Sequence, residues 1–220
     1  MKMIRTAANI IIFWGICISL PGCAVFKHHD LPEVQSLPGP APEAKRPTAT
    51  YEFTSAVEIG TRRPNHENVR VKLENEFIEV LRESGYFATL EKGSGGKDLD
   101  IRVELLNSGD PAALIPAFIT GFSLYVIPSW ATDNFEVSCK VSTADGQTRE
   151  YKLKDSTTLV QWLPMIVVFP FKPITGVAEL RKKIYKNLII KMQEDGILPK
   201  PGQPLKTTNL LIRFEMPPAA

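Results

Sequence analysis

Side chains able to do covalent or acid-base chemistry are few in this 220-residue chain. Of its three histidines, His28 and His29 sit in a proline-rich stretch, and only His66 lies inside or beside the region that patterns as folded chain. A histidine triad or a multi-histidine metal site would have to borrow from that stretch, so a solvated pair of linker histidines is the expectation. Glu74 with Glu76, and Asp98 with Asp100, offer paired carboxylates, but a solvated face is the ordinary reason for such pairs. The run Gly93-Ser94-Gly95-Gly96-Lys97 has the glycines of a phosphate loop. It lacks the rest: Glu91 stands where the first glycine is needed, Asp98 replaces Ser or Thr, and a strand pattern follows instead of a helix. A flexible hairpin loop is expected there. Cys139 lies in Phe135-Glu136-Val137-Ser138-Cys139-Lys140-Val141, where alternation puts Phe135, Val137, Cys139 and Val141 on one face. Its expected role is that of a small core residue. These residues point to no enzyme, no metal and no cofactor.

Two charge-free segments stand out instead. Pro111 to Thr132 runs 22 residues without Asp, Glu, Lys or Arg, and Ser156 to Phe171 runs 16. Pro116, Pro128, Pro164 and Pro170 interrupt both, and a spanning helix wants about 20 unbroken apolar residues. Long apolar loops or short broken helices are expected. If the strand ending near Asn107 pairs antiparallel with the one beginning near Phe135, both segments leave the sheet at one pole, opposite the tight Asp145-Gly146 turn. The candidate contact residues are then Phe122, Leu124, Tyr125 and Trp130 from the first segment, with Trp162, Met165, Val167 and Phe169 from the second. Three arrangements are open: a satellite core or cover for the free sheet face, an outer patch for membrane or partner contact, or the lining of a cavity for a lipid or small hydrophobic molecule. Trp and Tyr suit a membrane interface, where a ring faces both water and lipid.

Net charge is +2, carried by Lys2 and Arg5, and the first 22 residues hold no Asp or Glu. A near-neutral chain lacks the basic footprint of a nucleic-acid binder. The positive start, the apolar run Ile10 to Ile18 and the tetrad Leu20-Pro21-Gly22-Cys23 read as a secretory leader. These residues resemble a bacterial lipoprotein signal, with an aliphatic residue three places before Cys23 and a small one directly before it; Pro21 departs from the usual Ala, Ser or Thr. The resemblance implies that residues 1–22 are removed, that Cys23 is lipidated on sulfur and acylated on its amino group, and that the protein is anchored to a membrane by acyl chains. Ala24 in place of Asp implies sorting to the outer membrane, facing the periplasm. With Cys17 lost and Cys23 modified, Cys139 would have no disulfide partner.

Residues 23–50 carry Pro32, Pro38, Pro40, Pro42 and Pro47 and read as a lipidated tether, which would reach ~80 Å if wholly polyproline-like. A single domain is expected over 51–220. Tyr51, Phe53, Val57 and Ile59 alternate as a strand. Val69, Leu73, Phe77, Val80 and Leu81 recur as a helix closed by Gly85, a short strand covers Tyr86 to Glu91, and Leu99, Ile101, Val103 and Leu105 form another. Asp145-Gly146 joins the Cys139 strand to one with Tyr151 and Leu153. A second helix carries Val177, Leu180, Ile184, Leu188 and Met192 up to Gly196, and Leu210, Ile212 and Phe214 suggest a last strand. The expected class is α+β, five or six mostly antiparallel strands with two helices on one face and two apolar loops at one pole. The element order loosely resembles the small α/β domains of envelope lipoproteins of the curli-secretion and TolB amino-terminal type, and implies no functional residue. The leading expectation is a non-catalytic, lipid-anchored envelope protein that docks through the apolar pole onto membrane or an envelope assembly; the alternative is a carrier of lipid or a small hydrophobe.

Overall fold

Alternating apolar residues in four segments demand a sheet with one buried face, and two apolar stripes at helical spacing supply its cover. A computed structural model describes residues 23–60, 67–165 and 176–202 of the chain. The elements are β1 (Cys23–Lys27), β2 (Thr48–Ile59), α1 (Glu67–Ser84), β3 (Thr89–Lys92), β4 (Leu99–Gly109), a 3-10 turn (Pro111–Ala113), α2 (Leu114–Phe122), β5 (Ser129–Thr143), β6 (Thr148–Gln161) and α3 (Gly176–Glu194). The strands form one six-stranded sheet in the order β1-β6-β5-β4-β2-β3. The α+β class is as expected, with three helices rather than two among the described residues. The pairings β1 with β6, β6 with β5 and β5 with β4 are antiparallel. β2 pairs parallel with both β4 and β3.

Two expectations change with that topology. The short strand begins at Thr89, not Tyr86, and the Gly93–Lys97 loop is no hairpin, because β3 and β4 lie on either side of β2 and point the same way. The loop crosses the end of β2, and Lys97 Nζ reaches the Glu91 carboxylate at 2.9 Å instead of waiting for a phosphate. The hairpin at Asp145-Gly146 does form, with Ser142 opposite Thr148 and Gly146 at φ 87°. The expected strand around Leu210, Ile212 and Phe214 lies outside the described residues, as do 1–22.

α1 and α3 cover one sheet face. Phe77 and Leu81 of α1, and Ile184 and Leu188 of α3, bury against Phe53, Ile101, Val137 and Leu153. Phe77 stacks on Phe53 at 5.6 Å between ring centroids and meets the edge of Tyr185 at 5.2 Å. The opposite face is a shallow groove of about 570 Å³ lined by Glu52, Arg102, Glu104, Lys140, Glu150 and Lys152. Its charges answer one another across strands: Arg102 with Glu52 at 3.4 Å, Lys140 with Glu150 at 3.6 Å, Lys154 with Glu136 at 2.6 Å.

The largest departure is the expected tether. Its first five residues are β1, the edge strand beside β6. Its last three, Thr48 to Thr50, open β2, and between them the chain runs over α3 and past Tyr86: the Asn187 amide donates to the Pro32 carbonyl at 3.0 Å, Lys186 Nζ to the Gln35 carbonyl at 2.8 Å, and the Tyr86 hydroxyl to the Pro38 carbonyl. Leu31 and Leu37 pack against the core. A proline-rich strand cannot pair its own backbone, so these side chains satisfy carbonyls that composition alone assigns to water.

Asp155 and Lys183 secure this wrap. Both are buried, with Lys183 Nζ 2.6 Å from the Asp155 carboxylate. The carboxylate also accepts from the Ser156, Asp30 and Leu31 amides, and Lys183 donates to the Leu31 carbonyl at 3.3 Å. Removing one partner leaves an uncompensated buried charge, so Lys183→Met is expected to cost about 3–5 kcal/mol in urea unfolding. In the Asp155→Leu, Lys183→Met double variant the loss should be well below the sum of the two single losses.

Candidate functional site

β4, β5 and β6 position the two charge-free segments. Asn107 lies opposite Phe135, as the sequence analysis requires for a shared pole, and Ser129 at the start of β5 lies opposite Gln161 at the end of β6. The segments are tied directly by the Leu163 amide donating to the Tyr125 carbonyl at 2.7 Å. Phe122, Leu124, Tyr125, Trp130, Trp162 and Met165 therefore share one end of the sheet. Val167, Phe169 and His66 lie outside the described residues. β5 and β6 run further than expected, taking in Ser129–Thr132 and Ser156–Gln161 as strand, so the loops proper are shorter.

α2 presents its side chains in an inverted sense. Leu114, Ile115, Phe118, Ile119 and Phe122 fall within an arc of about 140° at 100° per residue, and Pro116, Ala117, Thr120 and Gly121 occupy the other side. In an ordinary packed helix the large face turns inward. Here Thr120 is the buried residue, while Phe118 is 75% and Phe122 85% exposed. The satellite-core arrangement fails on these exposures, and so does the idea that the loops cover the free sheet face, which is the charged groove. Leu124 (67%) and Trp130 (66%) extend the apolar surface, Trp162 is exposed, and Tyr125 and Met165 are half-buried.

The end of α2 is strained. The Leu124 amide donates to the Gly121 carbonyl and the Tyr125 amide to that of Thr120, the paired bonds of a Schellman cap. α3 ends the same way at Gly196, φ 74°, but α2 places Leu124 in that left-handed position, φ 51°, followed by Tyr125 at φ 63°. A side chain there costs about 1–2 kcal/mol that glycine avoids. The strain keeps an exposed leucine at the tip of the pole.

Cys23 opens β1 opposite Gln161, so it belongs to the same pole; as a free thiol it is buried. Among the described residues no group of three His, Cys, Asp or Glu side chains could hold a metal ion, and no helix is long and apolar enough to cross a membrane. His28 and His29 do not converge: His28 Nε2 bonds the Thr158 hydroxyl at 2.8 Å, and His29 faces Glu33 at 2.8 Å. Glu74 and Glu76 are not a solvated face but ion-paired supports, whereas Asp98 is exposed as expected. Glu74 is buried between Arg70 at 2.8 Å and Lys92 at 2.6 Å, and Glu76 takes a bidentate contact from Arg181 that joins α1 to α3. Asp98 accepts from the Thr48 amide and hydroxyl, and those bonds hold its carboxyl below the usual range. Desolvation alone raises the Asp133 carboxyl. The Cys139 thiol is fully buried in the sheet and pushed up by burial to about 12.

No known protein family matches the chain, and no curated protein sequence does. Among solved structures, similarity extends to the rare lipoprotein B from Shewanella oneidensis, at 11% identity over 67% of this chain and 96% of that one, with a TM-score of 0.38. A minor lipoprotein from Acinetobacter baumannii is similar at 14% identity over 69% of this chain and 96% of that one, with a TM-score of 0.31. These are distant likenesses, and no residue or role passes from them to this chain.

Two outcomes check this geometry. Leu124→Gly should raise stability by about 0.5–1 kcal/mol, relief of the left-handed strain exceeding the added chain entropy, as read from thermal or urea melts. At a pH near 8 the native Cys139 thiol should label about a thousandfold more slowly than an unhindered cysteine, since its ordinary value of 9.0 has risen to about 12 and the thiolate is the reacting form. Labelling at the free-cysteine rate would contradict the buried placement.

Proposed function

We propose that this chain is a non-catalytic, lipid-anchored protein of the bacterial cell envelope, held to the outer membrane on its periplasmic side through Cys23 and acting through its apolar pole. The observation that carries the reading is the inverted helix α2, which faces Phe118 and Phe122 outward on a folded sheet. Burial of one such ring is worth about 1.5–3 kcal/mol, so a surface that forgoes several of these contacts is poised for an apolar partner. The leader and Leu20-Pro21-Gly22-Cys23 supply the anchor and the compartment. The carboxylates of Glu74, Glu76 and Asp155 are engaged in ion pairs, and Cys139 is in the core, which supports a non-catalytic reading. A carrier would need Phe118 and Phe122 to line an enclosed space, and both point away from the sheet.

Cys23→Ser should leave the protein unprocessed or release it into the soluble periplasmic fraction. Mass spectrometry of the mature protein should show diacylglyceryl and N-acyl masses on Cys23. An unmodified mature Cys23 would overturn the anchor.

A further inference from the structure

We infer that the apolar pole is the seat of the phospholipid leaflet that carries the protein's own anchor, so that the domain stands directly on that leaflet instead of hanging from it. This rests on the lipid-anchor reading of Cys23 and adds an orientation and an occupant to it.

The first ground is the register. One row of partners crosses the sheet: Lys27, Thr157, Asp133, Gly109 and Ile59. On the polar side of this row the strands carry charged residues throughout. On the other side lie Cys23–Phe26, Thr158–Gln161 and Ser129–Thr132, then the segment from Pro111 to Pro128 and the residues Trp162 to Met165, none of which is charged; Asp110, next to the row itself, is the charged residue on that side among these segments, its carboxylate accepting from the Ala112 amide. The row lies four residues from the ends of β1, β5 and β6, a depth of about 13 Å at 3.3 Å per residue, and at the very ends of β4 and β2. Half the difference between a whole bilayer and its hydrocarbon core is about 5–7.5 Å, so the cap formed by β1, β5, β6 and the segments beyond them is deep enough to pass through the headgroup layer.

The second ground is the absence of slack. Cys23 itself pairs with Gln161, and β5 lies next to β6, so the lipidated residue is about 10 Å from Ser129 across two strand spacings. Once the leader is removed no chain continues past Cys23 along the strand axis, so an acyl group on its amino nitrogen starts at the end of the strand. Chains that enter the bilayer from a residue fixed in the sheet must bring the end of the sheet with them. A free tether of 27 residues would let any face approach the membrane; the wrapped one lets a single pole do so. Trp130, Trp162 and Tyr125 then fall at the level where aromatic rings partition between water and lipid, and α2 lies with its bulky face in the outer acyl region, the depth of about 5–10 Å usual for interfacial helices.

The mature chain keeps two of its three tryptophans, Trp130 and Trp162, since Trp14 departs with the leader. Intrinsic fluorescence therefore reports the pole alone. The test uses the full-length lipoprotein, processed in cells, purified in detergent and reconstituted into phosphatidylethanolamine/phosphatidylglycerol vesicles doped with brominated phosphatidylcholine. Expected is a blue-shifted emission, quenched at least twofold by bromines near the headgroup end of the acyl chain and less by bromines near its terminus, with protection from aqueous iodide. Phe118→Glu with Phe122→Glu should remain vesicle-bound through the anchor and keep its circular dichroism, while bromolipid quenching falls severalfold. If the unsubstituted protein floats with vesicles but its tryptophans stay open to iodide and untouched by bromines, the leaflet seat is overturned while the anchor stands. Failure to float overturns the anchor, and this proposal with it. Tryptophans shielded from both probes in a chemically crosslinked oligomer would instead assign the pole to a second copy of the chain and overturn the leaflet.

Discussion

The buried pair of Asp155 and Lys183 is the constraint on which the arrangement of this molecule depends. Two ions removed from water are stable only when their remaining lone pairs and protons are met. Here the amides of Asp30 and Leu31 and the carbonyl of Leu31 meet them. The pair thus requires the N-terminal segment to lie along β6 and α3, and the segment requires the pair, because its prolines leave it no ladder of its own. From this mutual requirement follow the edge position of β1, the salt bridge from Lys27 to Glu179 at 2.7 Å, and the placement of Cys23 at the end of the sheet where the apolar segments emerge.

Periodicity made much of the fold legible. The alternation at Phe135, Val137, Cys139 and Val141 and the stripes ending at Gly85 and Gly196 are local properties, and burial follows them from Leu73 and Leu180 onward, while Val69 in the first turn of α1 is exposed. What escaped is nonlocal. A period of two says which face of a strand is buried, not which neighbour it takes, so the parallel placement of β3 and β4 about β2 had no sequence signature. Proline content marks a segment that cannot form a ladder, and solvent is only one source of donors for it; Lys186 and Asn187, more than 150 positions away in sequence, are another. Glu74 and Glu76 read as solvated for the same reason, their partners Lys92 and Arg181 being on other elements.

The pole was legible in outline because absence of charge over long runs is itself a local property, and the antiparallel hairpin that joins its two halves has a strong turn signal. The inverted sense of α2 was not. Its nine residues carry an apolar arc that predicts burial, and only the sheet's position relative to Thr120 reveals that the small side is the packed one. The positive φ of Leu124 and Tyr125 was hidden too, since glycine is the residue that announces a Schellman cap.

In the proposed membrane-bound state, orientation of the domain would be set by this pole and not by long-range electrostatics. The charged groove on the free sheet face is neutralised strand by strand through Glu52, Arg102, Lys140 and Glu150, and the net charge of +2 resides in Lys2 and Arg5 at the start of the chain. Such a molecule has little monopole with which to be drawn to or turned by an anionic surface, and exposed ion pairs are screened within about 10 Å at ordinary ionic strength. The remaining anisotropy is apolar: among the described residues, one end bounded by the row from Lys27 to Ile59 whose charge is confined to Asp110 beside that row, and charged strands on the other side of it. A short-range force that acts only on contact needs a device to bring that end to its partner, and, under the proposed anchor, a strand that begins at Cys23 is such a device.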